Sequence, residues 1–224
     1  NTRTLKFGEY ELNFFTRPGG DALVQSFGET IGKSLDFYTK LYGRPEAGNR
    51  LNVVQIDDES LDYYSGQGMM FLANNVFNRG ESDNVEERIQ RETAFQWWGQ
   101  TVGLKSFDDA WLSQGLAEWS AIQLRENGAT PAQLESIQRE MLEKSLTFEQ
   151  TSSIARAPST QDDQSTAYQY IMYSKGAFAF RLLRETLGKE KFDQLMRRFV
   201  EEYRGKNASI DDFEKLSTRV AGEN

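Results

Sequence analysis

The chemistry available to this chain is limited first by two residue types that it lacks. The sequence contains no His and no Cys. Because His is the commonest transition-metal ligand and the usual general base near neutral pH, its absence removes most metal and acid-base sites. The absence of Cys removes disulfides, thiolate catalysis and thiolate metal sites together. A metal site here would have to use carboxylates, which suit hard cations.

One carboxylate lies in an unusual setting. The segment IQRETAFQWWG at residues 89–99 places Glu92 inside a predicted helix, which Asp83 and Glu86 could cap in the manner of a capping box. This segment resembles the zinc-binding motif His-Glu-x-x-His-Gln-Trp-Trp-Gly of the aminopeptidase N family of gluzincin metallopeptidases. Residues 91–99 match that motif except at the two His positions, which are Arg91 and Phe95.

Two further segments extend the resemblance. WLSQGLAE at 111–118 is similar to the family's Trp-Leu-Asn-Glu-Gly-Phe-Ala-Glu stretch, and Gln114 stands where that stretch supplies the third zinc ligand. YSKGA at 173–177 is similar to the segment that holds the Tyr that stabilises the tetrahedral intermediate, so the resemblance gives that role to Tyr173. The resemblance runs from about residue 21 to the C-terminus and implies a thermolysin-like peptidase domain.

The family's chemistry needs the residues that are missing. Two His at i and i+4 on one helix and a Glu from a following helix bind zinc and leave the fourth position for water. Zinc lowers the pKa of that water to about 7, and the Glu between the two His acts as base. Here Arg91 is a permanent cation, Phe95 has no donor atom and Gln114 offers only a neutral carbonyl. We therefore expect no bound zinc, and the sequence indicates no other cofactor.

The retained residues have structural and functional interpretations. Glu92 either pairs with Arg91 or Gln114 in a filled pocket, which we favour, or keeps a catalytic role. We expect the Arg91 guanidinium to lie between Glu92 and Glu118, because a buried carboxylate without a partner is costly. Tyr173 either donates a hydrogen bond to a bound carbonyl or packs as an ordinary helical Tyr.

Aromatic residues near the motif are expected to be structural. Phe95 should extend an apolar face that includes Trp98. The tryptophans at 97, 98, 111 and 119 should form core and cleft wall rather than a surface on which a ligand stacks.

A candidate substrate-binding strand lies before the motif. The family has a Gly-x-Met-Glu-Asn stretch on an edge strand, whose Glu grips the free amino terminus of the substrate. GQGMM at 66–70 resembles it, which makes Gly68, Met69 and Met70 candidate substrate-binding residues with Glu118, and puts Met70 in place of the gripping Glu. The resemblance then implies that recognition of the amino terminus is lost as well. The backbone of an edge strand could still pair with an extended peptide.

Hydrophobic patterning predicts an α+β fold. Residues 4–16 predict a strand or hairpin arm, residues 51–56 and 68–77 predict strands, and an acidic segment at 57–67 separates these two. Residues 21–42 predict a helix with Asp21 as N-cap and Gly43 just past its end. Helices are predicted at 83–103, 108–127, 131–149, 170–188, 189–204 and 209–221, with a loop at 151–166. A small N-terminal mixed sheet with a helix is thus followed by a helical C-terminal part.

The domain organisation follows from the same pattern. We expect a single peptidase-like domain over 1–224, with an α/β lobe at 1–80 and a helical lobe at 81–224, excised from a longer chain. The chain begins at Asn1 rather than Met, which weakly favours a processed, extracytoplasmic protein. The formal net charge is −8 and the sequence has no Lys/Arg block, so nucleic acid is not an expected partner. No apolar run is long enough for a membrane span.

Three functions are compatible with these residues. The favoured hypothesis is an aminopeptidase N-like domain that has lost zinc binding and peptidase activity and is retained for peptide or protein binding or as a scaffold. The alternative is a working hydrolase without metal, or with a carboxylate-bound cation, that uses Glu92 and Tyr173. The third is a purely structural module whose cleft is filled by Arg91, Phe95 and Met70. The oligomeric state and the identity of any partner are not indicated by the sequence.

Overall fold

The structure is a computed structural model that describes residues 1–58, 60, 62–148, 153–154 and 166–222. The strands are β1 (Thr2–Phe7), β2 (Tyr10–Phe15), β3 (Arg50–Ile56), β4 (Tyr63–Gly66), β5 (Met69–Ala73), β6 (Val102–Leu104) and β7 (Lys206–Ala208). The helices are α1 (Val24–Tyr42), α2 (Asn74–Arg79), α3 (Asp83–Ala94), α4 (Ala110–Glu126), α5 (Pro131–Thr147), α6 (Thr166–Tyr168), α7 (Gly176–Leu187), α8 (Lys189–Tyr203) and α9 (Ile210–Gly222). A π-helical segment, Gln169–Lys175, joins α6 to α7.

The chain divides into two compact units, a first unit of residues 1–101 and a second unit of residues 102–224. The sequence places its change from strands to helices earlier, at 80/81. The boundary at 80/81 marks where predicted strands give way to predicted helices, whereas the boundary at 101/102 separates groups of residues that pack together. In the described residues, no helix is both long and apolar enough to cross a membrane.

The first unit is built on a five-stranded mixed sheet with the order β1-β2-β3-β5-β4. The β1–β2 and β4–β5 pairs are antiparallel, whereas β2–β3 and β3–β5 are parallel. Helix α1 buries Phe27, Ile31, Leu35 and Tyr38, which recur at helical spacing and face the core. This confirms the α+β prediction with a small N-terminal mixed sheet.

Two details of the first unit differ from the predictions. Asp21 is not the N-cap of α1, because a 3-10 turn (Gly20–Leu23) precedes the helix and Leu23 is the cap. Asp21 instead accepts a hydrogen bond from Thr16 Oγ1 at 2.6 Å. Gly43 does end the helix, with φ 82°. The predicted strand at 68–77 stops at Ala73 and continues as α2.

The acidic segment at 57–67 contains strand β4, which the sequence analysis assigned no structure. The alternation of apolar and polar residues in this segment is short, and its Ser and Gly residues are typical of a turn. Pairing with β5, in the register that joins Gly66 to Met69, makes it a strand. Local propensity was therefore overridden by the neighbouring strand.

Helix α3 is shorter than predicted, since it ends at Ala94 rather than near residue 103. Ser82, and not Asp83, is its N-cap, and its hydroxyl accepts from Val85 N at 3.4 Å. At the other end the backbone tightens into a turn, and Phe95 N donates to Glu92 O at 3.2 Å. The segment after the helix is held by tertiary hydrogen bonds that an α-helix could not make.

The second unit is mainly helical, as predicted, and its core is aromatic. Rings of α4, α7, α8 and α9 meet in the pairs Trp119–Phe192, Phe180–Phe213 and Phe199–Phe213. The expectation of an all-helical C-terminal half is wrong in one respect, because β6 and β7 form a small parallel sheet. Most of the predicted loop at 151–166 lies outside the described residues.

Candidate functional site

Helix α3 carries the first-unit residues of the candidate site. Arg91 and Glu92 are each only 6% exposed. The preceding residue, Gln90, accepts a hydrogen bond at its carbonyl from the Tyr38 hydroxyl at 3.1 Å, which ties α3 to α1. Phe95 follows the end of the helix and is half-buried. Its ring therefore lies at the margin of the apolar core rather than inside it.

Glu92 is a buried carboxyl group held by the edge of the sheet. The Ser65 hydroxyl of β4 lies 3.1 Å from Glu92 Oε2 and 3.2 Å from the Glu92 main-chain oxygen. Burial raises the pKa of Glu92 above its ordinary value, while the charges of Arg91 and Arg88 and the hydrogen bond from Ser65 oppose that rise. Glu92 therefore holds its proton more tightly than an exposed Glu does.

The side chain of Arg91 is largely buried, and its charge lowers the pKa of Glu92 against the effect of burial. A buried guanidinium beside a buried carboxyl partly offsets the cost of removing both from water. The expected relation of Arg91 to Glu118 stays a prediction.

The turn between β4 and β5 is fixed by the motif residue Gln96. Its Oε1 accepts from Gly68 N at 2.9 Å, and its Nε2 donates to the carbonyls of Gly66 at 3.0 Å and Met69 at 3.1 Å. Gly68 adopts φ 67° at this turn, a conformation that favours glycine. Gln96 thus holds the strand pair on which the candidate substrate-binding residues lie.

The predicted edge strand is not where the sequence analysis placed it. Strand β5, with Met69 and Met70, is flanked by β3 and β4, and Met70 is fully buried. The two edges of the described sheet are β1 and β4, and β4, where Tyr64 is 56% exposed, is the edge beside β5. Met70 consequently serves the core, and an extended ligand that adds to this side of the sheet would meet β4.

The tryptophans are structural, as expected. Trp97 and Trp98 are 0% and 1% exposed. The Trp97 indole donates to Gly43 O at 2.8 Å and so binds the end of α1, and the ring of Trp98 lies 4.8 Å from that of Tyr42. In the second unit Trp119 is buried and Trp111 stacks on Phe180 at 5.5 Å. These rings fix the elements that carry the site.

In the second unit, helix α4 presents Gln114 to a buried tyrosine. Gln114 Nε2 donates to the Tyr168 hydroxyl at 2.9 Å, and Tyr168 is 2% exposed. Gln114 Oε1 is buried and has no hydrogen-bond partner in the part of the chain that the structure describes. One turn further along α4, Glu118 lines a cavity of about 10 Å³ together with Arg125, Glu140 and Ser174. This cavity is too small for a ligand larger than a water molecule.

Tyr173 lies in the π-helical segment Gln169–Lys175. Its ring is half-buried against a cluster formed by Ala110, Tyr168, Ile171 and Met172. The π-helix is rare and occurs frequently at functional sites. The sequence analysis predicted an ordinary helix here, because hydrophobic spacing does not separate π from α geometry over seven residues.

The residues at the metal-ligand positions do not fit zinc. Arg91 is a buried cation, Phe95 carries no donor atom, and Gln114 offers only a neutral amide oxygen, whereas zinc is bound by Cys, His and carboxylate ligands. Within the described ranges, no group of at least three His, Cys, Asp or Glu residues is arranged to hold a metal ion. The donor chemistry of these positions thus favours hydrogen bonding and ion pairing over coordination.

Three residues of the site were missed by sequence reasoning. Ser65 lies in the strand that was not predicted, Gln96 was noted only as part of the motif, and Tyr168 comes just after the predicted loop. The alternation of Tyr63 and Ser65 was a faint signal for β4. No local pattern indicated that Tyr168 would meet Gln114, because the two lie 54 residues apart.

Comparisons with known proteins agree on one family. A model of the peptidase family M1 domain matches residues 47–224. Aminopeptidase M1-C of Oryza sativa subsp. japonica is 25% identical over 218 residues, which are 91% of this chain and 24% of that protein. Glutamyl aminopeptidase of Sus scrofa is 23% identical over 228 residues, which are 95% of this chain and 24% of that protein. The chain thus spans about a quarter of the length of these relatives.

Solved structures show the same fold. An M1 zinc metallopeptidase from Deinococcus radiodurans superimposes with a TM-score of 0.67 at 18% identity, covering 99% of this chain and 48% of that one. A point mutant of that peptidase bound to a Tyr-Ser-Ala substrate gives a TM-score of 0.70 at 18% identity, covering 100% of this chain and 49% of that one. The expected α+β peptidase fold is confirmed.

Proposed function

Since this chain belongs to peptidase family M1, we propose that it is an aminopeptidase-like domain that has lost zinc-dependent hydrolysis and now binds peptide or protein. The observation that carries the proposal is the set of residues at the metal-ligand positions, Arg91, Phe95 and Gln114. None of them is a zinc ligand, and the chain has no His or Cys to replace them.

Loss of the metal would remove the nucleophile as well. Zinc supplies a water of lowered pKa and polarises the substrate carbonyl. Glu92 alone has no such water to deprotonate. Its hydrogen bond with Ser65 supports a structural role, in which the carboxyl group joins α3 to β4.

Peptide binding is supported by groups that do not depend on a metal. Strand β4 is one of the two edges of the described sheet, and main-chain groups of an edge strand can pair with an extended peptide. Gln96 keeps the β4–β5 turn rigid, which lowers the entropy lost on binding. In the first unit we propose that Gly68 and Met69 contribute to the peptide-binding surface, and in the second unit that Tyr173 donates a hydrogen bond to a peptide carbonyl.

The metal and activity part of the proposal is tested on purified protein. Elemental analysis after exposure to Zn²⁺ and gel filtration should give well under one zinc per chain, and aminoacyl and peptide substrates should not be cleaved. Stoichiometric zinc would contradict the proposal. Cleavage that Glu92→Gln abolishes would instead establish the alternative, a working hydrolase that uses Glu92.

The binding part is tested with Tyr-Ser-Ala, the peptide bound by the Deinococcus radiodurans mutant. Calorimetry should detect binding of this peptide and of its N-acetylated form with similar affinity, because the anchor for a free amino terminus is expected to be absent. A backbone N-methylated analogue should bind at least tenfold more weakly if main-chain pairing contributes. Failure of every form to bind at millimolar concentration would count against a peptide-binding role.

A further inference from the structure

We infer that Gln114 is a positioning residue, whose amide clamps Tyr168 and thereby fixes the π-helical segment that carries Tyr173. The inference deepens the proposed function and rests on the role given there to Tyr173. Gln114 makes no contact with the ligand in this scheme. It acts through Tyr168.

The clamp lies at the start of the π-helical segment. Gln114 Nε2 donates to the Tyr168 hydroxyl at 2.9 Å, and Tyr168 is the residue directly before Gln169, where the segment begins. Tyr168 belongs to the same cluster of buried residues, with Ile171 and Met172, against which the Tyr173 ring packs. A shift of Tyr168 would therefore be passed to Tyr173 through direct packing.

A second contact fixes the other end of the segment, and it comes from the next residue of α4. Gly176 follows Lys175, the last residue of the segment, and faces Gly115. A Cβ built on either glycine would lie 2.9 Å from backbone atoms of the other, so the two helices touch backbone to backbone. Two consecutive residues of α4, Gln114 and Gly115, thus hold the two ends of the π-helical segment.

The geometry of the segment explains why it needs two anchors. Runs of π-helix are rare and usually span a single turn, so the surrounding structure must select this geometry over an α-helix. The segment packs between α4 and α5, and the ring of Tyr170 lies 5.7 Å from that of Phe148. Fixing both ends sets the register, and the register sets the direction of Tyr173.

The amide at position 114 suits this role better than a carboxylate would. A Gln side chain donates to the Tyr168 hydroxyl without carrying a charge, whereas an ionised Glu could accept from that hydroxyl only at the cost of a buried negative charge. Among the described residues, Gln114 Oε1 has no partner although it is buried, and such an atom costs free energy. The bond from Nε2 to Tyr168 is the interaction that the amide makes here.

Hydrogen exchange of the full chain without ligand tests the clamp. Gln114→Met and Tyr168→Phe should each speed exchange of amides 169–175 on the order of fivefold, the ratio that one net hydrogen bond gives. Amides of α8 should keep their rates, and the double variant should exchange no faster than Tyr168→Phe. Tyr170→Phe, which removes a hydroxyl from the same segment, is the matched control and should leave the rates unchanged.

The ring signal of Tyr173 gives a second readout that a general stabilising role would not move. With ¹³C-labelled tyrosine, assigned by its loss in Tyr173→Phe, this signal should shift or broaden in Gln114→Met and Tyr168→Phe and stay in place in Tyr170→Phe. An unchanged Tyr173 signal overturns the inference. Exchange that is uniformly faster along the whole chain also overturns it. So does a double variant in which the effects of the two single variants add.

Peptide affinity separates this inference from the proposed function. If Tyr-Ser-Ala binds the unaltered chain, Gln114→Met should weaken it about as much as Tyr173→Phe does. Binding that Tyr173→Phe weakens and Gln114→Met does not would support the proposed function and overturn the clamp. If no peptide binds, the proposed function fails, and the ligand-independent exchange and ring signals still decide the clamp.

Discussion

The two compact units differ in the residues at the family's zinc-motif positions and in the partners of those residues. In the first unit α3 keeps an ionisable group, Glu92, buried beside the permanent cation Arg91. In the second unit the replacement is neutral, because Gln114 meets Tyr168 through an amide-hydroxyl hydrogen bond. The first unit therefore has the energetic cost of a buried carboxyl group at Glu92. The second unit has no such cost at Gln114.

This difference shows what a buried carboxyl group and a buried amide each need from their surroundings. A buried carboxyl group needs a cation, a hydrogen-bond donor or a proton, and Glu92 has Arg91 and Ser65 within reach together with a raised pKa. A neutral amide needs hydrogen-bond partners but no counter-charge. The stability of the first unit should therefore depend on pH at this position, and that of the second unit should depend on packing geometry.

The largest expected effect comes from restoring the ligands in both units together. Arg91→His with Phe95→His and Gln114→Glu should change zinc binding from none to one equivalent, because these are the ligand types and spacings of the family motif. Isothermal titration with Zn²⁺ and elemental analysis measure it. A chelator should remove the metal and the accompanying stabilisation.

A partial restoration is the matched control. The double variant Arg91→His with Phe95→His supplies only the first-unit ligands and should bind zinc far more weakly than the triple variant. Equal affinity of the two would mean that position 114 is not a ligand position. Absence of zinc from a folded triple variant would contradict the alignment of the motif.

A smaller effect is expected from the glycine contact of the second unit. Gly176→Ala places a Cβ 2.9 Å from the Gly115 Cα, and such overpacking should lower the free energy of unfolding by about 1–3 kcal/mol. Gly222→Ala, in α9, is the control, because a Cβ built there would meet no described neighbouring atom within 4 Å. This change should be neutral or stabilising by up to about 1 kcal/mol. Denaturant unfolding compares the two. Equal effects would show that the close helix contact does not matter.

The smallest expected effect is the pH dependence of the first unit. Because the pKa of Glu92 is raised in the folded state, the folded chain keeps its proton while the unfolded chain loses it near the ordinary value of 4.5. The free energy of unfolding should therefore fall as pH rises from that value to the raised pKa. Glu92→Gln removes this loss and should be the more stable protein, by on the order of 1 kcal/mol, above that range.

The control for charge removal is Glu29→Gln, on the exposed side of α1 in the same unit. Urea unfolding at several pH values gives the difference between each variant and the unaltered chain. The difference in free energy of unfolding between Glu92→Gln and the unaltered chain should grow with pH. The corresponding difference for Glu29→Gln should not grow in this way. A Glu92→Gln difference that is constant from pH 4 to pH 8 would show that burial does not raise this pKa.

Sequence patterns predicted the long amphipathic elements well. Helix α1 follows from Phe27, Ile31 and Leu35 at helical spacing, and its end follows from Gly43. The patterns failed where tertiary contacts decide local structure. Helix α3 stops at Ala94, and the side chains of Gln96 and Trp97 after it bond to the β4–β5 turn and to the end of α1, contacts that no local rule contains.

The sequence predicted which residues belong to the candidate site better than it predicted which residues contact one another there. Motif spacing identified Arg91, Glu92 and Gln114, since residue types at fixed intervals are visible in one dimension. It missed Ser65 and Tyr168, whose roles come from strand pairing and from a contact between distant helical turns. It also placed the edge strand at Met70, which lies inside the sheet.

The sequence by itself determined the chemistry that these positions can offer, because an Arg, a Phe and a Gln have no zinc-ligand atoms in any fold. It also predicted the long helices and the strands β1, β3 and β5 in their order. The tertiary structure decided which groups these side chains meet, Ser65 for Glu92 and Tyr168 for Gln114. Such partners depend on the packing of residues far apart in the chain, and hydrophobic period and local propensity carry no information about that packing.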